Sequence, residues 1–284
     1  MKKIAVILLL CLINHPLHGA LLDDFETTNV LAIATRIGPA PEAQVQTNIT
    51  ATSTNRFLRL IYDEVGSQNN HYTYDRTDTG AWENITAAFD FRLSSLTNGL
   101  AADGISIAFI PTATYGISGD GPAYPAEEPN FAGVLAFAID AHPAATVNDF
   151  SLHWNGNELV NQTAPLSQVN IDDGIFHRVV LEIERLGNSS LARAYVITNS
   201  MAAPGPRTLL FETLIPGMLP YENRVQLVGR SGGSTMDADV DNLSVTYSNL
   251  YTNIAPTITT NRLYQDFDSS GSSIVVSRQH SVTG

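Results

Sequence analysis

Two aspartates stand at the ends of two apolar segments in the middle of the chain. Asp103 comes directly before the segment 104–111, and Asp140 directly follows the segment 134–139. Both segments are short apolar runs bounded by turn residues, which is typical of buried β-strands. A carboxylate at such a position can accept ligand hydrogen bonds or bind a hard cation, and it can equally cap the turn at the strand end. Both roles stay open for each aspartate.

A long loop rich in glycine, proline and tyrosine joins the two apolar segments, and Tyr115, Tyr124 and Phe131 lie in it or flank it. Flat aromatic faces stack on the apolar side of sugar rings, and long loops on a rigid scaffold commonly carry function. The alternative is that the rings only fix the loop to the core, which we favour for Phe131. Trp154 is open to the same two interpretations, with packing favoured.

The rest of the chain has the periodicity of β-strands. The segment 85–93 alternates apolar and polar residues, with Thr86, Asp90 and Arg92 predicted to face outward. The segment 177–185 alternates in the same way. Further strands are predicted at 56–65, 192–198, 209–214, 224–228 and 240–247, separated by turn residues. No long segment has a helical period, so the fold class is all-β, a sandwich or a barrel.

Taken together, these features resemble the concanavalin A-like lectin/glucanase superfamily, and legume-type (L-type) lectins most of all. The resemblance rests on Ala102-Asp103-Gly104 before an apolar strand, a Gly-rich loop, and a strand that ends in Asp140. As a strand pattern it extends over residues 21–248. It implies a two-sheet antiparallel jelly-roll sandwich in which Asp103 and Asp140 lie side by side at one rim.

The same resemblance implies a carbohydrate site. Asp103 matches an aspartate that follows a cis peptide bond and accepts hydrogen bonds from sugar hydroxyls, and Gly104 would permit close approach of the ligand. The loop between Tyr115 and Tyr124 would shape specificity, and Asn148 would contribute an amide.

A calcium site is implied beside it. The matching ligands are Asp140, Asn148, Asp149 and His153, and calcium requires several hard oxygen donors. The family places a glutamate two residues before the metal aspartate, where this chain has Ala138, and often an asparagine four residues after it, where this chain has Ala144. We therefore predict that the family's transition-metal site is lost. For His153, a strand residue with a hydrogen-bonded ring is the favoured alternative.

Charge and cysteine content exclude several functions. The net charge is −13, and the lysines are Lys2 and Lys3, so every later basic residue is arginine. Such a surface repels nucleic acid and anionic membranes. Cys11 is the only cysteine of the sequence, so the chain has no disulfide and no cysteine-bound zinc site.

Three segments are predicted along the chain. Residues 1–20 have a basic start, a short apolar run and small residues for cleavage, which is typical of a secretory signal peptide. Residues 21–248 form the lectin-like domain, and its first and last strands are expected to pair. Residues 249–284 are a linker, a tail or the start of a further domain. The predicted location is secreted or cell-surface, without membrane insertion.

Three functions remain after these steps. The favoured one is an exported, non-catalytic module that binds carbohydrate. The second is a structural or adhesive domain whose sugar site is degenerate. The third is a polysaccharide-degrading enzyme, but the Glu-x-Asp-x-x-Glu run of related glucanases is missing, and Glu182 and Glu184 are predicted to face solvent.

Overall fold

The computed structural model describes residues 19–26, 31–49, 54–95, 101–142, 148–165 and 167–249. The predicted signal peptide lies outside the described residues except for Gly19 and Ala20, which begin the first strand. The predicted tail lies outside them except for Asn249.

The described residues are almost entirely strand. In chain order the strands are β1 (Gly19–Asp23), β2 (Ala32–Ile37), β3 (Gln44–Ile49), β4 (Thr54–Ile61), β5 (Asn69–Tyr74), β6 (Asn84–Ser94), β7 (Gly104–Pro111), β8 (Leu135–Asp140), β9 (Asn148–Trp154), β10 (Asn157–Ala164), β11 (His177–Leu186), β12 (Ser189–Ile197), β13 (Arg207–Pro216), β14 (Asn223–Arg230) and β15 (Asp237–Ser248). One short helix, α1 (Thr112–Tyr115), follows β7. It is too short to span a bilayer, and the described residues contain no other helix that could.

The strands form two antiparallel sheets. The first sheet has the order β13-β12-β11-β6-β15-β4-β3, and β1 pairs with the far half of β15. The second sheet has the order β10-β9-β8-β7-β14-β5-β2. Leu21 of β1 pairs with Val245 of β15, so the first and last strands are neighbours as expected. The predicted all-β, two-sheet antiparallel jelly-roll sandwich is confirmed.

The core lies between the two sheets, and the alternation in the sequence fills it. The inward side chains of β6 are buried as predicted: Ile85, Ala87, Phe89, Phe91 and Leu93. From the second sheet, Phe109, Phe137 and Leu152 meet them. Burial of alternate residues in an antiparallel strand fixes its register, because a shift by one residue would expose this whole set to water.

The loop 112–133 covers the outer face of the second sheet. Its Tyr124 and Phe131 pack on a small apolar cluster that includes Ala108, Ala136 and Val228. Strands β7 and β8 are therefore buried on both faces, which explains their nearly continuous apolar sequence.

Buried polar side chains fasten this loop to the sheet. The fully buried Arg224 donates to the carbonyl oxygens of Gly119 and Asp120 at 2.8 and 2.9 Å. His71 Nε2 accepts a hydrogen bond from the Tyr124 amide at 2.8 Å. Backbone groups of the loop are thus satisfied by the sheet, as buried backbone requires.

Candidate functional site

Asp103 and Asp140 lie side by side at one rim of the second sheet. Gly104 at the start of β7 pairs with Asp140 at the end of β8, and the Ala141 amide donates to the Asp103 carbonyl oxygen at 2.8 Å. The peptide bond between Ala102 and Asp103 is cis, as the resemblance implies. The end of β14 and the start of β9 reach the same rim, so four strands supply side chains to one place.

The Asp103 carboxylate is held by an arginine. Arg230 Nη1 donates to Asp103 Oδ2 and also to Glu127 Oε2 of the covering loop, at 2.9 Å for the second contact. Burial raises the pKa of Asp103, and nearby Glu127 adds to this, while Arg230 opposes it. Arg230 therefore joins the loop to the carboxylate that the resemblance assigns to sugar binding.

Two glycines border Asp103 for different reasons. A Cβ on Gly104 would lie 2.3 Å from the Ile139 carbonyl oxygen, so the pairing of β7 with β8 requires glycine there. This is a different role from the ligand approach that we predicted for Gly104. A Cβ on Gly232 would lie 3.2 and 3.3 Å from the two Asp103 carboxylate oxygens. Gly232 therefore lies close to the carboxylate, and any side chain at 232 would crowd both of its oxygens.

Asp140 and Asp149 form the centre of an acidic cluster. The two residues pair directly on β8 and β9, and Asp140 Oδ1 accepts a hydrogen bond from the His142 amide at 2.7 Å. Burial raises the pKa of Asp140 to about 7, and the charges of Glu127, Glu128 and Asp149 add to this increase. Burial also raises the pKa of Asp149.

The donor chemistry of this cluster fits a hard divalent cation. Asp149 Oδ1 is buried and makes no hydrogen bond within the described part of the chain. Facing carboxylates with raised pKa values and an unused oxygen are what calcium-binding sites provide. Asp140 and Asp149 offer two carboxylates of the type that calcium takes, which is fewer oxygen donors than a calcium ion needs, and their binding of calcium stays a prediction.

Asn148 does not point into this cluster. Its Nδ2 donates to the Val169 carbonyl oxygen, and its Oδ1 accepts from the Ile171 amide at 3.4 Å. The residue is 2% exposed. The structure thus corrects our assignment of Asn148 to both the sugar and the metal site, because its amide secures the segment 165–171 instead.

His153 is fully buried and its ring is hydrogen-bonded on both sides. Nδ1 lies 2.7 Å from Asn130 Oδ1, and Nε2 lies 2.7 Å from Ser151 Oγ. Glu128 Oε1 is 3.6 Å from Nε2. The hydrogen bond with His153 lowers the pKa of Glu128. This is the hydrogen-bonded ring that we favoured, with the addition of a glutamate beside it.

Of the residues considered for stacking, Tyr124 is buried, whereas Tyr115, Phe131 and Trp154 are partly exposed. Tyr124 is 1% exposed, and its ring centroid lies 4.4 Å from that of Phe131. Tyr115 packs against the same apolar cluster. Trp154 packs on Tyr221 with ring centroids 5.7 Å apart. We therefore correct the prediction for Tyr124, whose ring fixes the loop to the sheet, and the favoured packing role of Phe131 and Trp154 agrees with the structure.

Sequence reasoning missed the charged residues that reach the rim from a distance. Glu127 and Glu128 come from the loop, and Arg230 comes from the end of β14, 103 residues after Glu127. The sequence signal that could have indicated a role for the loop at the rim is the pair of adjacent glutamates in a loop with few other charges.

Glu182 and Glu184, which had raised the question of catalysis, lie on the outer face of the first sheet. Glu182 pairs with Arg207, and Glu184 pairs with Arg193 at 3.4 Å. Each carboxylate therefore has a basic partner on another strand of the same sheet, Arg193 on β12 and Arg207 on β13, as expected for surface charges.

No protein-family model and no curated protein matches this sequence. Solved structures do match the fold. A lectin from Bauhinia forficata in complex with GalNAc is 13% identical, with 81% of this chain and 98% of that chain covered and a TM-score of 0.55. The VIP36 exoplasmic/lumenal domain in its Ca2+/Man2-bound form is 16% identical, with 84% and 90% covered and a TM-score of 0.52.

Arcelin-5, a lectin-like defence protein from Phaseolus vulgaris, is 13% identical, with 82% and 99% covered and a TM-score of 0.51. These similarities establish the fold of concanavalin A-like, L-type lectins for this chain.

Proposed function

We propose that this chain, which has the L-type lectin fold, is an exported, non-catalytic module that binds carbohydrate at the rim formed by β7, β8, β9 and β14. Its partner would be a polysaccharide or glycoconjugate. The observation that carries the proposal is the position of Asp103, which follows the cis peptide bond and lies next to Asp140 at this rim. Nucleic acid is disfavoured by the net charge of −13.

The polar groups at the rim are suited to sugar hydroxyls. Asp103 Oδ1 is an acceptor, and the Arg230 side chain, which is 36% exposed, has donors beyond the nitrogen that holds Asp103 and Glu127. An acceptor beside a donor can bind two neighbouring hydroxyls of one pyranose ring. Hydrogen bonds to charged groups are the stronger class, so this pair would fix the ring orientation.

Calcium would support this site. Bound by Asp140 and Asp149, it would neutralise the acidic cluster and hold the ends of β8 and β9 in place. The VIP36 domain and the Bauhinia lectin carry sugars in their structures, which supports the proposed class of ligand.

A glycan array tests the proposal. The purified full-length protein should bind a defined set of neutral glycans, EDTA should weaken the binding, and Asp103→Asn should abolish it. The matched control Asp24→Asn changes an exposed aspartate after β1 and should bind as the parent does. Absence of binding to every glycan, or undiminished binding by Asp103→Asn, would refute the proposal.

The alternative is a structural or adhesive domain with a degenerate site. The pairing of Arg230 with Asp103 favours it, because the guanidinium already occupies one carboxylate oxygen. On this alternative the array is silent and Arg230→Gln does not restore binding. A polysaccharide-degrading enzyme ranks last, and release of reducing sugar from a polysaccharide panel would reveal it.

A further inference from the structure

Two buried aspartates lie side by side on the outer face of the first sheet. Asp90 on β6 pairs directly with Asp241 on β15, and the two residues are 4% and 1% exposed. Directly paired residues have their Cβ atoms about 4.5–5.5 Å apart, so the two carboxyl groups are close neighbours. Two negative charges so close and so deeply buried repel each other and are costly to keep ionised.

Asn242 holds both carboxyl groups in place. Its backbone amide donates to Asp241 Oδ1 at 2.7 Å, and its Nδ2 donates to Asp90 Oδ2 at 2.9 Å. The residue has a positive φ of 49° and lies in the irregular stretch of β15 between Asp241 and Ser244. At this stretch β15 stops pairing with β4 and begins to pair with β1. The aspartate pair therefore lies at the junction of four strands.

The other hydrogen bonds of the pair leave one oxygen without a donor. Asp90 Oδ2 accepts a second bond from Arg178 Nη1 at 3.0 Å, and Asp241 Oδ2 accepts one from Asn55 Nδ2 at 3.1 Å. Asp90 Oδ1 is buried and has no partner within the described part of the chain. A buried acceptor without a donor is costly, and a proton on the pair would supply the missing hydrogen.

The charges of the pair are also unbalanced when both groups are ionised. Arg178 on β11 is the arginine that bonds to it, so two negative charges face one positive charge. Burial raises the pKa of Asp241 to about 6, the charges of Asp90 and Glu26 add to this, and the bonds from Asn55 and Asn242 oppose it. One bound proton would make the charge of the pair equal and opposite to that of Arg178.

The neighbouring charged groups have partners of their own. On β4, the Arg56 guanidinium donates to the Glu26 carbonyl oxygen at 3.1 Å. Two residues along β15 from Asp241, Asp239 forms ion pairs with Arg59 and Arg92. None of these arginines bonds to the pair, so Arg178 remains its basic partner among the described residues.

We propose that Asp90 and Asp241 share one proton and form a pH-sensitive contact within the first sheet. In mildly acidic solution the proton is bound, Arg178 balances the charge, and the contact of β6 with β15 is stable. At neutral pH the proton is lost, and repulsion between the two carboxylates weakens the junction of these strands with β4 and β1.

The direction of the effect follows from the shift at Asp241. Since its folded-state pKa is raised to about 6, the folded protein binds the proton more tightly than the unfolded chain does. The stability that this proton contributes is therefore present at pH 4 and lost as the pH rises through about 6. The pair lies in the first sheet, whereas Asp140 and Asp149 lie in the second, so the effect does not require calcium or carbohydrate.

Carboxyl-carbon NMR of the full-length protein tests the shared proton. In the parent protein Asp241 should titrate near pH 6. Asp90→Asn is the informative variant, because its amide oxygen can still accept from Arg178 and Asn242 while its amide nitrogen replaces the unpartnered Oδ1. The variant removes a charge and adds a donor, so the midpoint of Asp241 should fall by about one pH unit or more.

Urea denaturation at pH 4.5 and pH 7.5 measures the consequence for stability. Asp90→Asn should raise the ratio of folded to unfolded chains, relative to the parent, about tenfold more at pH 7.5 than at pH 4.5. The control Asp24→Asn, at an exposed aspartate after β1, should keep the pH dependence of the parent. Titration of the parent decides the matter even if Asp90→Asn does not fold. The proposal is overturned if Asp241 of the parent titrates near pH 4, or if Asp90→Asn changes neither that midpoint nor the pH dependence of stability.

Discussion

Two groups of carboxylates, one around Asp239 and one around Asp140, differ in the charge that surrounds them. On the outer face of the first sheet, Asp239 is fully buried and accepts hydrogen bonds from Arg59 Nε at 2.8 Å and Arg92 Nε at 3.0 Å. The Arg92 guanidinium also lies over the rings of Phe57 and Phe176, at 4.9 and 4.7 Å from their centroids.

At the rim of the second sheet the balance is different. Asp140, Asp149 and Glu128 lie near one another, and the arginine of that rim, Arg230, is bonded to Asp103 and Glu127 instead. A balanced network of this depth is a structural element, because every charge already has its partner. An acidic cluster without that balance favours an added cation, and this is the physical reason for placing function at the second region.

The largest effect is expected where the balanced network is broken. Asp239→Asn should lower the free energy of unfolding by about 3 kcal/mol, because two partly buried guanidinium groups lose their shared carboxylate. Urea denaturation measures this. A loss below about 1 kcal/mol would show that Asp239 is no more structural than the rim acids, and the contrast between the regions would disappear.

Calcium should have the next largest effect, and only at the second region. At pH 8 and a calcium concentration about 100 times the dissociation constant, the protein should be stabilised by about 2–3 kcal/mol. At pH 5 the effect should be much smaller, because burial raises the pKa of Asp140 to about 7 and the ion must displace its proton.

Thermal unfolding with and without calcium at the two pH values is the measurement. Asp239→Asn should keep the calcium response, whereas Asp149→Asn should lose most of it. A response that is equal at pH 5 and pH 8 would contradict the assignment of the ion to Asp140.

Removing the Asp140 charge in the absence of metal should stabilise the protein. This effect is smaller than that of Asp239→Asn and opposite in sign. Because the folded-state pKa of Asp140 is raised to about 7, the folded protein binds its proton more tightly than the unfolded chain does. Stability from this group is therefore present at pH 4 and lost as the pH rises through about 7. In Asp140→Asn this part of the fall in stability between pH 4 and pH 7 should be absent.

At pH 8, in the presence of EDTA, Asp140→Asn should raise the free energy of unfolding by about 1 kcal/mol, since partial exposure screens much of the charge. Urea midpoints at pH 4.5 and pH 8 measure the effect. Destabilisation by Asp140→Asn at pH 8 would place Asp140 in the same structural class as Asp239.

The part of the fold that could be predicted is the part with one face in the core. Strand β6 alternates because its inward residues meet the other sheet and its outward residues do not, so its period of two is visible in the sequence. The adjacency of Asp103 and Asp140 was predictable for a related reason, since antiparallel neighbours place the start of one strand beside the end of the next.

Other features depend on contacts without a local signal. Strand β5 begins Asn69-Asn70-His71, and all three polar residues are buried. The loop 112–133 covers Asn69 and His71 and takes their hydrogen bonds, whereas the Asn70 amide donates to the carbonyl oxygens of Pro41 and Leu60. The bonds from Arg230 to Asp103 and Glu127 join positions more than 100 residues apart. Only the packing of the loop on the sheet brings these side chains together, so composition and periodicity do not reveal them.

The smallest expected change concerns the space beside the Asp103 carboxylate at Gly232. A Cβ at Gly232 would approach both Asp103 carboxylate oxygens to 3.2–3.3 Å, whereas nothing lies within 4 Å of a Cβ at Gly233. Gly232→Ala should reduce glycan affinity about three- to fivefold, less than about 1 kcal/mol in binding free energy, with stability changed by under about 0.5 kcal/mol. Gly233→Ala is the matched control and should bind as the parent does.

Equal affinities for the two variants, measured by calorimetry with a glycan from the array, would mean that the ligand does not approach Asp103 from the side of Gly232. Asp103 would then resemble Asp239, whose carboxylate binds protein side chains, more than a residue that binds a ligand.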